Sequence, residues 1–456
     1  MKTIFISAFT NFVVRNIFET DFLLTLKKDR NLRLVIIAPE TERDYLFNNF
    51  GGPNLVVEGV KILPLTTTQV LIGKFSRLFL NTYTIRLFNR LRTDFRNPLS
   101  FLPYYFGRAL SPWLQGWLPG IRLVRWLDYH CVRRSRFTNL FDRYQPDLIF
   151  STDITDRSSG ESDIDLLREA KRRGTKTVGM VRSWDNLTTR GVIREVPDQI
   201  IVHNEIIKNE CLALNGIAEE RVRVVGVPHY DKYLRAKLQP RETFLKKIGL
   251  DPRKKTILFV TIADMFLEKQ LGGKTPTYNR YCLEQLSRLD AKHNQILVRF
   301  PLIGGGELGD FQPPTNMVLD RPATLFGKGE LSAEADDYLI NVLAHSDVVL
   351  PGPSTIAIDA MLFDRPIVWI GFDKEKNLPL EKSVTKFMYV EHLRPLMDFK
   401  ALRIAKNESE LLSMIEAYLK NPALDRAERK AVITRTCFKT DGQSSERLAQ
   451  AVLSAF

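Results

Sequence analysis

The stretch SDVVLPGPSTIAIDAMLFDRPIV, residues 346–368, holds the densest run of potential chemistry in the sequence. An apolar strand ends in Pro351, Gly352 and Pro353, where Gly352 would let the backbone turn sharply, and a helix is predicted from Ser354. Two hydroxyls, Ser354 and Thr355, at a helix start place side-chain oxygens beside free N–H groups and the positive end of a helix dipole, a setting suited to a diphosphate. Thr355 and Asp359 are four residues apart, so they share a helix face about 6 Å apart along the axis. An anion at Thr355 would then bring a ribose to the Asp359 carboxylate. The same residues also fit a plain N-cap on a core helix.

Two further segments follow predicted strands. In ILVRFP (296–301) the strand ends on Arg299, followed by Pro301; its guanidinium can neutralise phosphate bidentately or pair with a local acid. MVRSWDNLTTRG (180–191) offers Ser183, Trp184, Asn186 and Thr188 as acceptor-recognising groups, with Asp185 as the candidate base. Transfer to a hydroxyl needs a carboxylate or imidazole to take its proton. Asp153 and Asp156, in STDITDRSSG (151–160), are rival bases, followed by His203 and His229. Trp184 fits either stacking on a sugar ring or plugging the domain.

These segments need elements to hold them. Continuous apolar runs at 3–9, 32–39, 146–153, 175–181 and 199–204 alternate with helical stretches, the pattern of a parallel sheet covered on both faces. The pattern restarts at 255–264, then at 294–302, at TNMVLD, at SDVVLPGP and at RPIVWIGF. In such sheets ligands sit beyond the carboxyl ends of the strands, where the candidate residues fall. The expectation is an α/β chain of two Rossmann-like domains: 1–235, interrupted by an insertion over about 70–140, and 236–456 for the donor, with the last helix crossing back.

The insertion is unusual. Residues 71–140 carry twelve Lys and Arg against Asp94 and Asp128, with fourteen aromatics interleaved. Arginine with tryptophan and tyrosine on apolar helices is the composition of a surface lying on anionic lipid; packing on the domain or along an acceptor channel is the other reading. Nucleic acid is not the expected partner of the chain's net charge of +13.

Composition excludes other classes. At 44% hydrophobic and 26% charged residues, the chain reads as globular. Its four cysteines are far apart, which predicts neither a zinc site nor disulfides and points to a reducing compartment. Polar Asn11, Arg15 and Asn16 interrupt the first apolar run, so it reads as a strand and not a signal peptide. Asp163-Ile164-Asp165 lies at a predicted helix start; no metal or cofactor is called for beyond a nucleotide-activated donor used as substrate.

SDVVLPGPSTIAIDAMLFDRPIV resembles the donor-site block of the CDP-glycerol glycerophosphotransferase family and its surface-polysaccharide relatives. ILVRFP is similar to the Arg-containing strand end preceding that block, and VVGVPHYDKY (224–233) to its Gly-x-Pro segment at the domain junction. The resemblance implies a GT-B fold and a role in cell-envelope glycan assembly on the cytoplasmic face of the membrane. It also implies that Arg299, Ser354, Thr355 and Asp359 hold the donor, and that Gly226 and Pro228 shape the hinge. The sequence departs from the family in having Ser354-Thr355 for tandem serines, Arg299-Phe300-Pro301 without a histidine, and no His-Gly signature. A general glycosyl donor is therefore expected, on a glycan or lipid-linked acceptor. The alternatives are a nucleotide-sugar 2-epimerase-like isomerase and a non-catalytic glycan- or lipid-binding scaffold of the same fold.

Overall fold

A computed structural model describes the chain except residues 11, 94–96, 133–135, 156–157, 264–276, 303–304, 307, 323–331, 376 and 381. It divides into two compact units, one of Met1–Lys232 with Thr436–Phe456, the other of Tyr233–Arg435.

The first unit is built on β1 (Lys2–Ser7), β2 (Leu32–Pro39), β3 (Leu55–Val60), β4 (Leu148–Ser151), β5 (Lys176–Met180), β6 (Gln199–Val202) and β7 (Val222–Val224). They form one sheet in the order β3-β2-β1-β4-β5-β6-β7, parallel throughout. Strands β1, β2 and β4 are buried on both faces, because helices cover both sides of a parallel sheet and leave no polar face to alternate with. Their side chains divide between two cores, one holding Ile4, Leu34 and Phe150 with Val178 of β5, the other Phe5, Val35 and Ile149 with Phe141 of the helix Thr138–Tyr144.

The insertion lies between β3 and β4 and contributes the helices Thr67–Ser76, Tyr83–Leu91, Leu102–Leu114 and Leu118–Cys131. Their inner faces close a core of Ile72, Phe79, Leu80, Ile85, Ile121 and Val124 with Val192. Their outer faces leave Leu102, Tyr105, Phe106, Trp113, Trp117, Leu123 and Trp126 exposed, Trp113 at 84%.

Within this unit the final helix, Ser444–Leu453, packs Leu448, Ala449 and Val452 into the core around Ile4 and Leu34. Buried Asp231 holds its start, accepting from the backbone N–H groups of Ser444 (2.9 Å) and Ser445 (2.7 Å) and from the Ser445 hydroxyl. Gly226, at φ +94°, is required here, since a Cβ would stand 2.4 Å from Ser444 Oγ.

The second unit carries β8 (Lys255–Val260), β9 (Asn294–Arg299), β10 (Met317–Asp320), β11 (Val348–Leu350), β12 (Val368–Ile370) and β13 (Arg403–Ala405). Four form a parallel sheet in the order β10-β9-β8-β11. A parallel bridge from Val349 to Ile367 leads on to the β12-β13 pair. Both units thus run outward in two directions from their first strand, the doubly wound order, and the crevice where the order reverses lies beside β1 and β4 in one unit and β8 and β11 in the other.

Candidate functional site

In the second unit the crevice at the β8/β11 reversal is bounded by Thr261 and Ile262, after β8, and by 351–355, after β11. Gly352 is needed there for close approach: an added Cβ would meet Ile262 Cγ1 at 2.8 Å. Its φ lies outside the left-handed region, so the requirement for glycine there is the close contact and not the backbone conformation.

Helix Ile356–Leu362 follows, with Thr355 at its N-cap position. Thr355 has already taken a helical φ of −68° and ψ of −14°, and no side chain caps the helix. A capping hydroxyl needs extended backbone at that residue to fold back on the N2 or N3 amide. The plain N-cap reading of Ser354 and Thr355 is therefore not the arrangement found. Both residues are part-exposed, as is Asp359 one turn on.

Arg299 ends β9 beside this crevice, but its guanidinium is committed. It is buried, forms an ion pair with Asp320 at the end of β10, and lies over the Tyr338 ring at 5.7 Å. Strand pairing sets Asp320 opposite Arg299 in register, which the linear sequence, with the two residues 21 apart, does not display. Burial together with the nearby Asp320 carboxylate pushes the Tyr338 phenol up.

In the first unit the loops after β4, β5 and β6 converge. Asp153, expected as a rival base, is fully buried and its oxygens are occupied. One accepts from the Thr155 backbone N–H (3.1 Å), the Thr155 hydroxyl (2.7 Å) and the Asn186 amide (3.2 Å); the other faces Arg182 (3.2 Å) and Arg190 (3.6 Å). These partners leave neither oxygen of the buried carboxylate turned to an acceptor hydroxyl. Asp153 ties the β4 and β5 loops together instead. Asp156 lies outside the described residues.

Asp185 is only part-buried. Its Oδ1 accepts from the Ser183 hydroxyl at 2.6 Å, and its backbone carbonyl accepts from Thr188 (3.1 Å) and Thr189 (2.6 Å). Asn186 and Thr188 are buried, Asn186 against Asp153, so both shape the loop from behind. Trp184 is a plug on one side: its ring packs against His203 (5.5 Å) and Tyr230 (6.0 Å), and its indole N–H donates to the Thr436 carbonyl at 3.4 Å. His203 is buried, with no hydrogen-bond partner at Nδ1 among the described residues. Burial, with Arg182 nearby, lowers its pKa to about 3.

Sequence reasoning missed how firmly the insertion is bound to this loop. The Thr82 hydroxyl donates to the Thr188 carbonyl (2.6 Å), and Arg125 donates to the carbonyls of Ile193 (3.0 Å) and Asn215 (2.7 Å). Beneath them Asp128 binds Arg168 at 2.6 Å and Arg194 at 2.9 Å, Arg136 binds Asp165 at 2.6 Å, and Glu161 pairs with Arg194. Arg125 and Arg136 are therefore not lipid-facing cations. The signal was the lone acid on an otherwise basic helix; Asp163-Ile164-Asp165 lies in the buried first turn of another helix, Ser162–Arg173, from which Asp165 joins this network. Among the described residues no group of three or more His, Cys, Asp or Glu side chains is placed to hold a metal ion.

Residues 176–454 match the family described as CDP-Glycerol:Poly(glycerophosphate) glycerophosphotransferase. The chain belongs to this family. It is accordingly a transferase of glycosyl or glycerophosphate groups on a GT-B-type fold. No curated protein matches the chain. Among solved structures it is similar to UDP-GlcNAc 2-epimerase from Neisseria meningitidis bound to UDP-GlcNAc, at 11% identity and TM-score 0.56, covering 100% of both chains. It is also similar to the S. aureus MnaA-UDP co-structure, at 11% identity and TM-score 0.54, covering 100% of this chain and 98% of that one. The glycotransferase of kitacinnamycin gives 12% identity and TM-score 0.50, with 100% and 99% covered. At such identities these likenesses describe the fold, and the epimerase among them gives the isomerase reading no advantage over transfer.

Proposed function

We propose that this family member transfers a nucleotide-activated sugar, or a glycerol-phosphate-like group, to a glycan or lipid-linked acceptor at the cytoplasmic face of the membrane. One observation carries the reading. At the β8/β11 reversal the chain pairs a glycine that lets backbone approach Ile262 with two hydroxyls, Ser354 and Thr355, that cap no helix. Such a crevice suits a pyrophosphate, with Asp359 one turn on for the ribose.

Asp185 is our choice of base. It takes the proton from the acceptor hydroxyl as that oxygen attacks the activated centre and the nucleotide leaves with its bonding electrons; Ser183 orients the carboxylate. Arg299 acts from behind, fixing the ends of β9 and β10. No metal or organic cofactor enters this scheme. The exposed aromatic face of the insertion, with Arg108 and Arg122 exposed among it, supports peripheral binding to anionic lipid. No helix among the described residues is long and apolar enough to cross a membrane.

Thermal-shift and calorimetric titration with UDP, CDP, GDP and their sugar or glycerol conjugates tests the reading, because a ligand bound to the folded state raises its midpoint. We expect one class to stabilise the wild type and Ser354→Ala/Thr355→Ala to abolish the shift. Asp320→Asn beside Arg299→Ala separates loss of the ion pair from loss of a phosphate contact. Binding of no nucleotide at millimolar concentration by the folded protein sinks the proposal, and turnover of donor without acceptor points to isomerisation.

A further inference from the structure

A cavity of about 580 Å³ opens in the first unit, lined among others by Lys2, Phe141, Asp147, Arg173, Lys176 and Phe456. It lies at the amino edge of the sheet, where β1 begins at Lys2 and β5 at Lys176, and Asp147 immediately precedes β4. The candidate base Asp185 follows the carboxyl end of β5. The two are separated by a strand of five residues, roughly 17 Å at the usual rise, so the cavity is not part of the site described above.

Among its lining side chains one acid, Asp147, stands against Lys2, Arg173 and Lys176. Asp147 accepts from the Thr3 backbone N–H at 2.7 Å. Arg173 is held by Asp142 (2.6 Å) and Glu169 (2.7 Å). Lys2 sets its ammonium over the Phe456 ring at 4.2 Å, and neither Lys2 nor Lys176 pairs with a carboxylate among the described residues. Two ammonium groups without an ion-pair partner among the described residues, beside phenyl rings that can pack against C–H groups, in a cavity of ligand size, suit a phosphodiester with a short hydroxylated linker.

We infer that this cavity is a second binding site, for a glycerol-phosphate-type phosphodiester, and that it holds a segment of the polyanionic acceptor chain away from the reacting end. The poly(glycerophosphate) named in the family's description has this chemistry, and so does an anionic lipid headgroup. The inference rests on the acceptor's being such a chain. Its benefit is retention: a second contact along one chain raises the local concentration of the reacting end without contributing to the reaction itself.

The test is fluorescence-anisotropy binding of a labelled, water-soluble glycerol-phosphate oligomer to the full chain and to a Lys2→Gln/Lys176→Gln variant. Both lysines are exposed, so the variant should fold. Removing two exposed cations should weaken oligomer binding by up to about tenfold and flatten its salt dependence. Equal affinity for wild type and variant overturns the site. Capture of phosphatidylglycerol vesicles with no binding of the soluble oligomer reassigns the anion to a lipid and overturns the chain-holding role. Nucleotide-induced stabilisation is measured in the same samples: intact stabilisation without an effect on the oligomer defeats this inference alone.

Discussion

The edge of the Trp184 indole meets the His203 imidazole with centroids 5.5 Å apart and planes inclined at 62°. This contact closes the β5 loop over the end of β6 and keeps the imidazole from water, so His203 stays neutral with its pKa lowered to about 3.

That burial sets a pH dependence. The folded value lies below the ordinary value of 6.5, so the unfolded chain binds the proton that the folded chain refuses. Stability from this group is complete above pH 6.5 and is lost as pH falls from 6.5 towards 3. The loss approaches about 1.4 kcal/mol per pH unit for one proton. Urea unfolding of His203→Gln at pH 7.0 and 5.0 should show a shallower pH dependence than wild type; parallel lines would contradict the assignment.

Asp128→Asn should destabilise the first unit by about 1–3 kcal/mol, below the roughly 3–5 kcal/mol of a buried charge left alone, because Arg168 and Arg194 lose one counter-ion but keep Asp165 and Glu161. Chemical denaturation followed by tryptophan fluorescence reads this directly. A change below about 1 kcal/mol would mean that Glu161 and Asp165 can neutralise both arginines unaided.

Gly352→Ala carries no penalty from backbone conformation, so its whole effect is the contact with Ile262. We expect overpacking of about 1–3 kcal/mol together with loss of the nucleotide-induced rise in midpoint. Adding Ile262→Ala should restore both. Failure of that second substitution to rescue would place the glycine's importance elsewhere.

Asp231→Ala removes the carboxylate that receives two backbone amides and a hydroxyl at the start of the last helix. The expected loss is about 2–3 kcal/mol, the range for hydrogen bonds to a buried charge. Hydrogen exchange should localise the change to Ser444–Leu453. Uniform loosening of the first unit would argue against a cap.

Much of this architecture is legible in the linear chain. Runs such as LRLVIIAP and NQILVRFPL name parallel strands because only a strand covered on both faces tolerates unbroken apolar residues. The short β13, RIA, and β3, LVVEGV, escape notice because three residues, or six with Glu58 and Gly59 among them, carry too little pattern. SDVVLPGPST likewise shows a strand, a turn and hydroxyls in an order that local preference dictates. What only tertiary structure decides is which polar groups remain available. Arg299 and Asp153 look like free chemistry in sequence, yet register sets Asp320 beside the first and two loops bring Arg182 and Arg190 to the second. Trp184 gains its partners from His203, just after β6, and from residues more than 40 positions away. Local propensity acts over a few residues, whereas the neutralising of a charge depends on whatever the fold brings within a few ångströms.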